Sequence, residues 1–96
     1  MKATATGAPR SAPRLTPRLT LYSRAWCHLC EEMHAALEPL TLAFGATVDV
    51  IDVDADPALV ALYDELVPVL MFEGVELSRY RLDAERVRAA LILHTA

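Results

Sequence analysis

The fold is decided by the stretch Leu19-Thr20-Leu21-Tyr22-Ser23-Arg24-Ala25-Trp26-Cys27-His28-Leu29-Cys30. Leu19 to Tyr22 alternate with period two, which predicts a short strand, and Ser23 to Trp26 read as a loop. From about Cys27 the period changes. Leu29, Met33, Leu37 and Leu40 fall at i, i+4, i+8 and i+11, one apolar stripe of a helix reaching about Phe44, and Glu31, Glu32 and Glu38 lie off it. Pro39 is expected to kink this helix or to cap a second segment, because it cannot donate to the Ala35 carbonyl. Both cysteines therefore stand at a strand-to-helix junction.

Downstream, Thr47 to Val53 reads as a strand with apolar groups on both faces: Val48 and Val50 on one, Ile51 and Val53 on the other. Asp56 followed by Pro57 is an N-cap with proline at the first helical position, opening a short helix through Leu66. Val67 to Phe72 forms a further strand, Glu73-Gly74 a tight turn, and Val75 to Tyr80 the hairpin partner. Asp83 caps a last helix to about His94, with Val87, Ala90 and Leu91 facing inward. The order βαβαββα predicts an α/β domain with a four-stranded mixed sheet and helices on both faces, over residues 18–96.

Residues 1–17 are read as a disordered tail in which Pro-Arg recurs at Pro9, Pro13 and Pro17 amid Ala, Thr and Ser. Basic groups gather in this tail, and all 13 carboxylates lie beyond it. An acidic body repels phosphates and anionic lipid, so neither nucleic acid nor membrane is expected as a partner. Apolar runs are too short to span a bilayer and the N-terminus lacks a signal-peptide core, which predicts a cytoplasmic protein, and a monomer is expected, although the residues do not specify the oligomeric state.

Two cysteines cannot staple a small secreted domain, so their value lies in reactivity or metal binding. A sulfur at a helix N-cap faces unpaired N–H groups and the positive end of the helix dipole, which favour thiolate. A thiol of pKa about 8.5 is about 3% ionised at pH 7, and one of pKa about 6 is about 90% ionised. Nucleophilicity per thiolate falls as pKa falls, so the larger benefit is a Cys27 that leaves quickly when Cys30 attacks it. Arg24 and His28 are placed to add donors or charge to the site, although His28 also fits a solvated loop position. Cys30 shares the face of Met33 and Leu37 and is expected to be the buried member.

A zinc, copper or iron-sulfur module built on the same two cysteines is the alternative of another class. No second CxxC or close His pair accompanies them, and His34 and His94 are expected at the surface. The run Asp52-Val53-Asp54-Ala55-Asp56 imitates a calcium loop but has Pro57 where glycine is required and Tyr63 where glutamate is required. These aspartates are read as a strand end and a helix cap.

The segment Leu21 to Glu32 resembles the active site of glutaredoxins, and more closely that of small bacterial glutaredoxin-like proteins with Cys-His-Leu-Cys. The second matching feature is Val67-Pro68, similar to the family's cis-proline dipeptide. The resemblance covers about residues 18 to 94 and implies a thioredoxin-like fold with Cys27 as nucleophile and Cys30 as resolving cysteine. It implies further that the backbone of Val67 beside Pro68 pairs with the substrate's cysteinyl unit, and that Arg24 contacts a glutathione carboxylate. Trp26 before the first cysteine is similar to thioredoxins. The implied partners are protein disulfides or glutathione, the latter as co-substrate, with no tightly bound cofactor and with a reductant that the residues do not specify. One departure bears on glutathione. Where glutaredoxins carry Gly-Gly after the fourth strand, this chain has Ser78-Arg79, and the acidic residue for the glutathione amine is offset to Asp83, which also fits a helix cap. Bulky Arg79, Tyr80 and Arg81 in this loop predict weak glutathione binding, and a catalytically weak adaptor is a third reading.

Overall fold

The computed structural model describes residues 16–95. Its elements are β1 (Arg18–Ser23), α1 (His28–Phe44), β2 (Thr47–Asp52), a 3-10 turn (Val53–Ala55), α2 (Pro57–Tyr63), β3 (Val69–Phe72), β4 (Val75–Arg79) and α3 (Ala84–Thr95). The tail assigned to residues 1–17 lies outside the described residues except for its last two. Of these, Pro17 is fully buried and its carbonyl accepts a hydrogen bond from Thr47 N at 2.9 Å, so it belongs to the folded part.

The strands form one sheet in the order β2-β1-β3-β4. β1 and β2 run parallel, with Arg18 opposite Thr47 and Ser23 opposite Asp52, whereas β3 is antiparallel to both β1 and β4. Alternation along β1 separates its two faces. Leu19 and Leu21 are fully buried in the main core with Met33, Leu37 and Leu40 of α1, Leu70 and Phe72 of β3, and Val87 and Leu91 of α3. Burial of each such leucine stabilises the fold by roughly 1.5–3 kcal/mol before chain entropy is counted. Tyr22 points the other way and stacks on Tyr63, ring centroids 4.4 Å apart, which sets α2 against the opposite face. The domain is thus α/β and thioredoxin-like, with a mixed four-stranded sheet between helices.

Several boundaries differ from the sequence reading, but α1 reaches Phe44 as the apolar stripe predicts, with Pro39 inside it on the solvent side and no second cap. It ends at Gly45, whose φ of 62° is a left-handed conformation that glycine adopts without a Cβ penalty. β2 stops at Asp52, and Val53, fully buried, opens the 3-10 turn instead. As an edge strand β2 is incompletely covered, and Val50 is half exposed. α2 ends at Tyr63 rather than Leu66, and β3 begins at Val69 rather than Val67. Glu73 and Gly74 both take positive φ, as a two-residue hairpin between twisted strands requires. β4 ends at Arg79, since Tyr80 turns the chain with a φ of 67°. His94, expected at the surface, is largely covered: Nδ1 lies 3.2 Å from Glu73 Oε2, and the ring packs edge-on against Phe72.

Candidate active site

Cys27 is the N-cap of α1, with extended backbone (φ −117°, ψ 106°), and its Sγ accepts the Cys30 N–H at 3.2 Å. Its carbonyl accepts from Glu31 N at 3.1 Å, the first intrahelical bond. Cys27 and Cys30 are joined as a disulfide with their Cα atoms 5.2 Å apart. Cys27 is half-buried and Cys30 is 2% exposed, so the helix start presents one sulfur and encloses the other. His28 projects into solvent 3.9 Å from Glu31. Trp26 is 98% exposed and holds a φ of 59°, a left-handed conformation that costs a bulky residue about 1–2 kcal/mol. No burial of Trp26 offsets that cost.

The disulfide rests on a small apolar cluster distinct from the main core. Cys30, Val53 and Val67 form its buried part, with Cys27, Tyr22, Leu59 and Tyr63 packed around them. The cluster brings Val67 to the cysteines, and the Val67-Pro68 peptide is cis. Pro68 is fully buried, and its carbonyl accepts from Tyr80 N at 2.9 Å, which ties the proline loop to the turn after β4. Burial, followed by the neighbouring Tyr22, raises the Tyr63 phenol above its ordinary pKa.

Arg24, the residue matched to a glutathione carboxylate, is engaged within the chain. Its guanidinium forks onto Asp54, with Nε 3.1 Å from Oδ2 and Nη2 2.7 Å from Oδ1. Nη2 also donates to Asp64 Oδ1 at 3.0 Å, and Nη1 donates to the Asp64 carbonyl at 2.8 Å. Hydrogen bonding to Arg24 holds the Asp54 carboxyl below the usual carboxylate range. Asp52 and Asp56 act as caps, accepting from Asp54 N and Ala58 N, each at 2.9 Å. Among the described residues, no three His, Cys, Asp or Glu side chains are grouped as metal ligands.

On the other flank, Asp83 is drawn into capping: its Oδ1 accepts from Arg86 N at 3.1 Å, while its own N–H donates to Ser78 Oγ at 2.8 Å. Ser78 is buried, and Arg79 turns away onto both carboxylate oxygens of Glu76, at 3.0 and 3.1 Å. The loop does not seal the flank. A cavity of about 290 Å³ remains between Leu29, Glu32 and Met33 of α1 and Tyr80, Arg81 and Leu82.

Sequence reasoning singled out Cys27, Cys30, Arg24, Trp26, His28, Val67, Pro68 and Asp83, of which Cys27, Cys30 and Val67 share one packed cluster. It missed Tyr22 and Tyr63, which form the bed of the disulfide, and the pairing of Asp54 and Asp64 with Arg24. The signal for the tyrosines was faint: two aromatic residues at the ends of a strand and a helix. Nothing in the sequence pairs Arg24 with carboxylates 30 and 40 positions away.

Among the described residues, no helix is long and apolar enough to cross a membrane. The sequence model of the glutaredoxin-like domain (DUF836) matches residues 18–92. The uncharacterised protein Rv0508 of Mycobacterium tuberculosis H37Rv is 31% identical over 80 residues, 78% of this chain and 82% of the relative. The solution structure of Ne2328 from Nitrosomonas europaea is 39% identical, covering 78% of this chain and 91% of that one, with a TM-score of 0.69. The crystal structure of the XcR50 protein from X. campestris has the same identity, covers 78% and 96%, and has a TM-score of 0.61. A thioredoxin from Halobacterium salinarum, 23% identical over 93% of this chain and 83% of its own, matches in fold with a TM-score of 0.59. Fold, CxxC pair and sequence thus agree, and the chain, with its thioredoxin-like fold, belongs to the glutaredoxin-like domain (DUF836) family.

Proposed function

We propose that this protein is a thiol-disulfide oxidoreductase acting through Cys27 and Cys30. The observation that carries the reading is the asymmetry of the pair: Cys27 is partly exposed at the helix N-cap with its sulfur accepting an N–H, and Cys30 is enclosed within disulfide reach. In the reduced protein the Cys27 thiolate attacks a substrate disulfide, forming a Cys27 mixed disulfide and releasing one substrate thiolate. Cys30 then loses its proton and attacks Cys27 Sγ. The Cys27–Cys30 disulfide forms, the second substrate thiol leaves, and two electrons have passed from the protein dithiol to the substrate. A small-molecule or protein thiol restores the dithiol by the reverse exchange.

The substrates are protein disulfides, with glutathione a poor co-substrate, because Arg24 and Asp83 are both engaged within the chain. Trp26 and the backbone of Val67 flank the attacked bond in this reading. Its test is trapping with Cys30→Ser, which stalls at the first exchange. Mass spectrometry should find a substrate on Cys27 that a dithiol releases, and none with Cys27→Ser. Equal trapping on Cys30 in the Cys27→Ser variant would refute the assignment.

A further inference from the structure

Arg24 lies three residues before Cys27 and is the permanent cation nearest to it in sequence. Its partners Asp54 and Asp64 directly follow Val53 and Tyr63 of the cluster around the cysteines, and a free guanidinium there would favour carboxylate-bearing thiols. Instead Nε, Nη1 and Nη2 all donate to Asp54 and Asp64 at 2.7–3.1 Å. The arginine is the more covered member, at 28% exposure against 51% and 54% for the two carboxylates. Two carboxylates on one guanidinium leave the cluster with a formal charge of −1, and Asp52 shares a 260 Å³ hollow with Arg24. An anionic ligand approaching Arg24 therefore meets net negative charge and must displace a bidentate partner.

We infer that Asp54 and Asp64 are specificity determinants, which withhold Arg24 from small carboxylate-bearing thiols and so turn the site toward disulfides on neutral or basic protein segments. The inference rests on the oxidoreductase reading for its biological meaning, but the withholding itself is a binding property. Replacing both aspartates by asparagine keeps their shape and changes the cluster charge from −1 to +1. Arg24 is then released from two charge-assisted partners without new bulk.

Trp26, the single tryptophan, is exposed two residues from Arg24 and reports binding by fluorescence without turnover. The probes are S-methylglutathione, which cannot exchange, and its diester, which lacks the carboxylate charges. The Asp54→Asn/Asp64→Asn protein should bind S-methylglutathione about fivefold more tightly than wild type, as for one partly exposed ion pair. The diester, a net cation, should gain nothing in the variant, and adding Arg24→Gln should abolish the gain for S-methylglutathione. Should the double variant be unstable, Asp54→Asn and Asp64→Asn singly should each give part of it. Unchanged affinity overturns the inference, as does a gain that survives Arg24→Gln or extends equally to the diester.

A parallel assay compares KM for a peptide mixed disulfide with glutathione and for one with neutral 2-mercaptoethanol, with dithiothreitol as reductant. The ratio should fall by the same factor in the double variant. If neither substrate turns over with any protein, the oxidoreductase reading fails, while a binding gain that depends on Arg24 still identifies Asp54 and Asp64 as the groups that withhold it.

Discussion

Ser78, which the family resemblance sets against a glycine, lies within β4 and should be a structural clasp rather than a steric block. The residue is 5% exposed, and its Oγ is the acceptor for Asp83 N, the N–H of the residue that caps α3. Ser78→Ala leaves that N–H without its partner. An unsatisfied buried donor costs about 1–3 kcal/mol, and the partial burial of this bond sets the loss at about 1–2 kcal/mol. Ser78→Gly adds the entropic cost of glycine within a strand, about 0.5–1 kcal/mol. The expected losses are therefore about 1.5 kcal/mol for alanine and about 2 kcal/mol for glycine. At about 4–8 °C per kcal/mol for a domain of this size, Tm should fall by about 6–12 °C and about 8–16 °C respectively. Urea unfolding followed by far-UV circular dichroism measures both losses. The expected signature is a lower midpoint with an unchanged slope. Alanine as stable as wild type, or a glycine variant that gains stability, would refute the clasp, and Ser78 would then be only a small side chain in a glycine's place.

Other outcomes follow from the same structure. In the reduced protein, Cys27 should be alkylated by iodoacetamide with a midpoint below that of an ordinary thiol, and Cys30 should react slowly at every pH; single-cysteine variants read this directly, and faster modification of Cys30 contradicts it. Asp54 is held below its unfolded pKa by Arg24, so the folded state binds fewer protons there. Its contribution to stability is present above the ordinary carboxylate pKa and is lost as pH falls through the folded value. Arg24→Gln should flatten the rise of the urea midpoint across that acidic window, and an unchanged profile would show that the pair has no linkage to folding. Trp26→Gly should raise stability by about 0.5 kcal/mol, because relief of the left-handed strain exceeds the added chain entropy, and should weaken the capture of protein disulfides. Loss of stability on that change would show that Trp26 is held by packing.

The sequence alone determined whatever rests on local chemistry and short-range periodicity. Cys27 at a strand-to-helix junction, the stripe through Met33, Leu37 and Leu40, and the caps at Asp56 and Asp83 depend on neighbours within about one helical turn, and for such features spacing is geometry. Boundaries were less legible where tertiary packing overrides propensity. Val53 leaves the strand because the cluster beneath Cys30 takes its side chain. Only the tertiary structure decided the partners of Arg24, the stacking of Tyr22 on Tyr63 and the role of Ser78. Each is a contact beyond one helical turn in the chain, and an arginine in a chain rich in acidic residues has many equivalent partners until the backbone brings two of them within hydrogen-bonding distance.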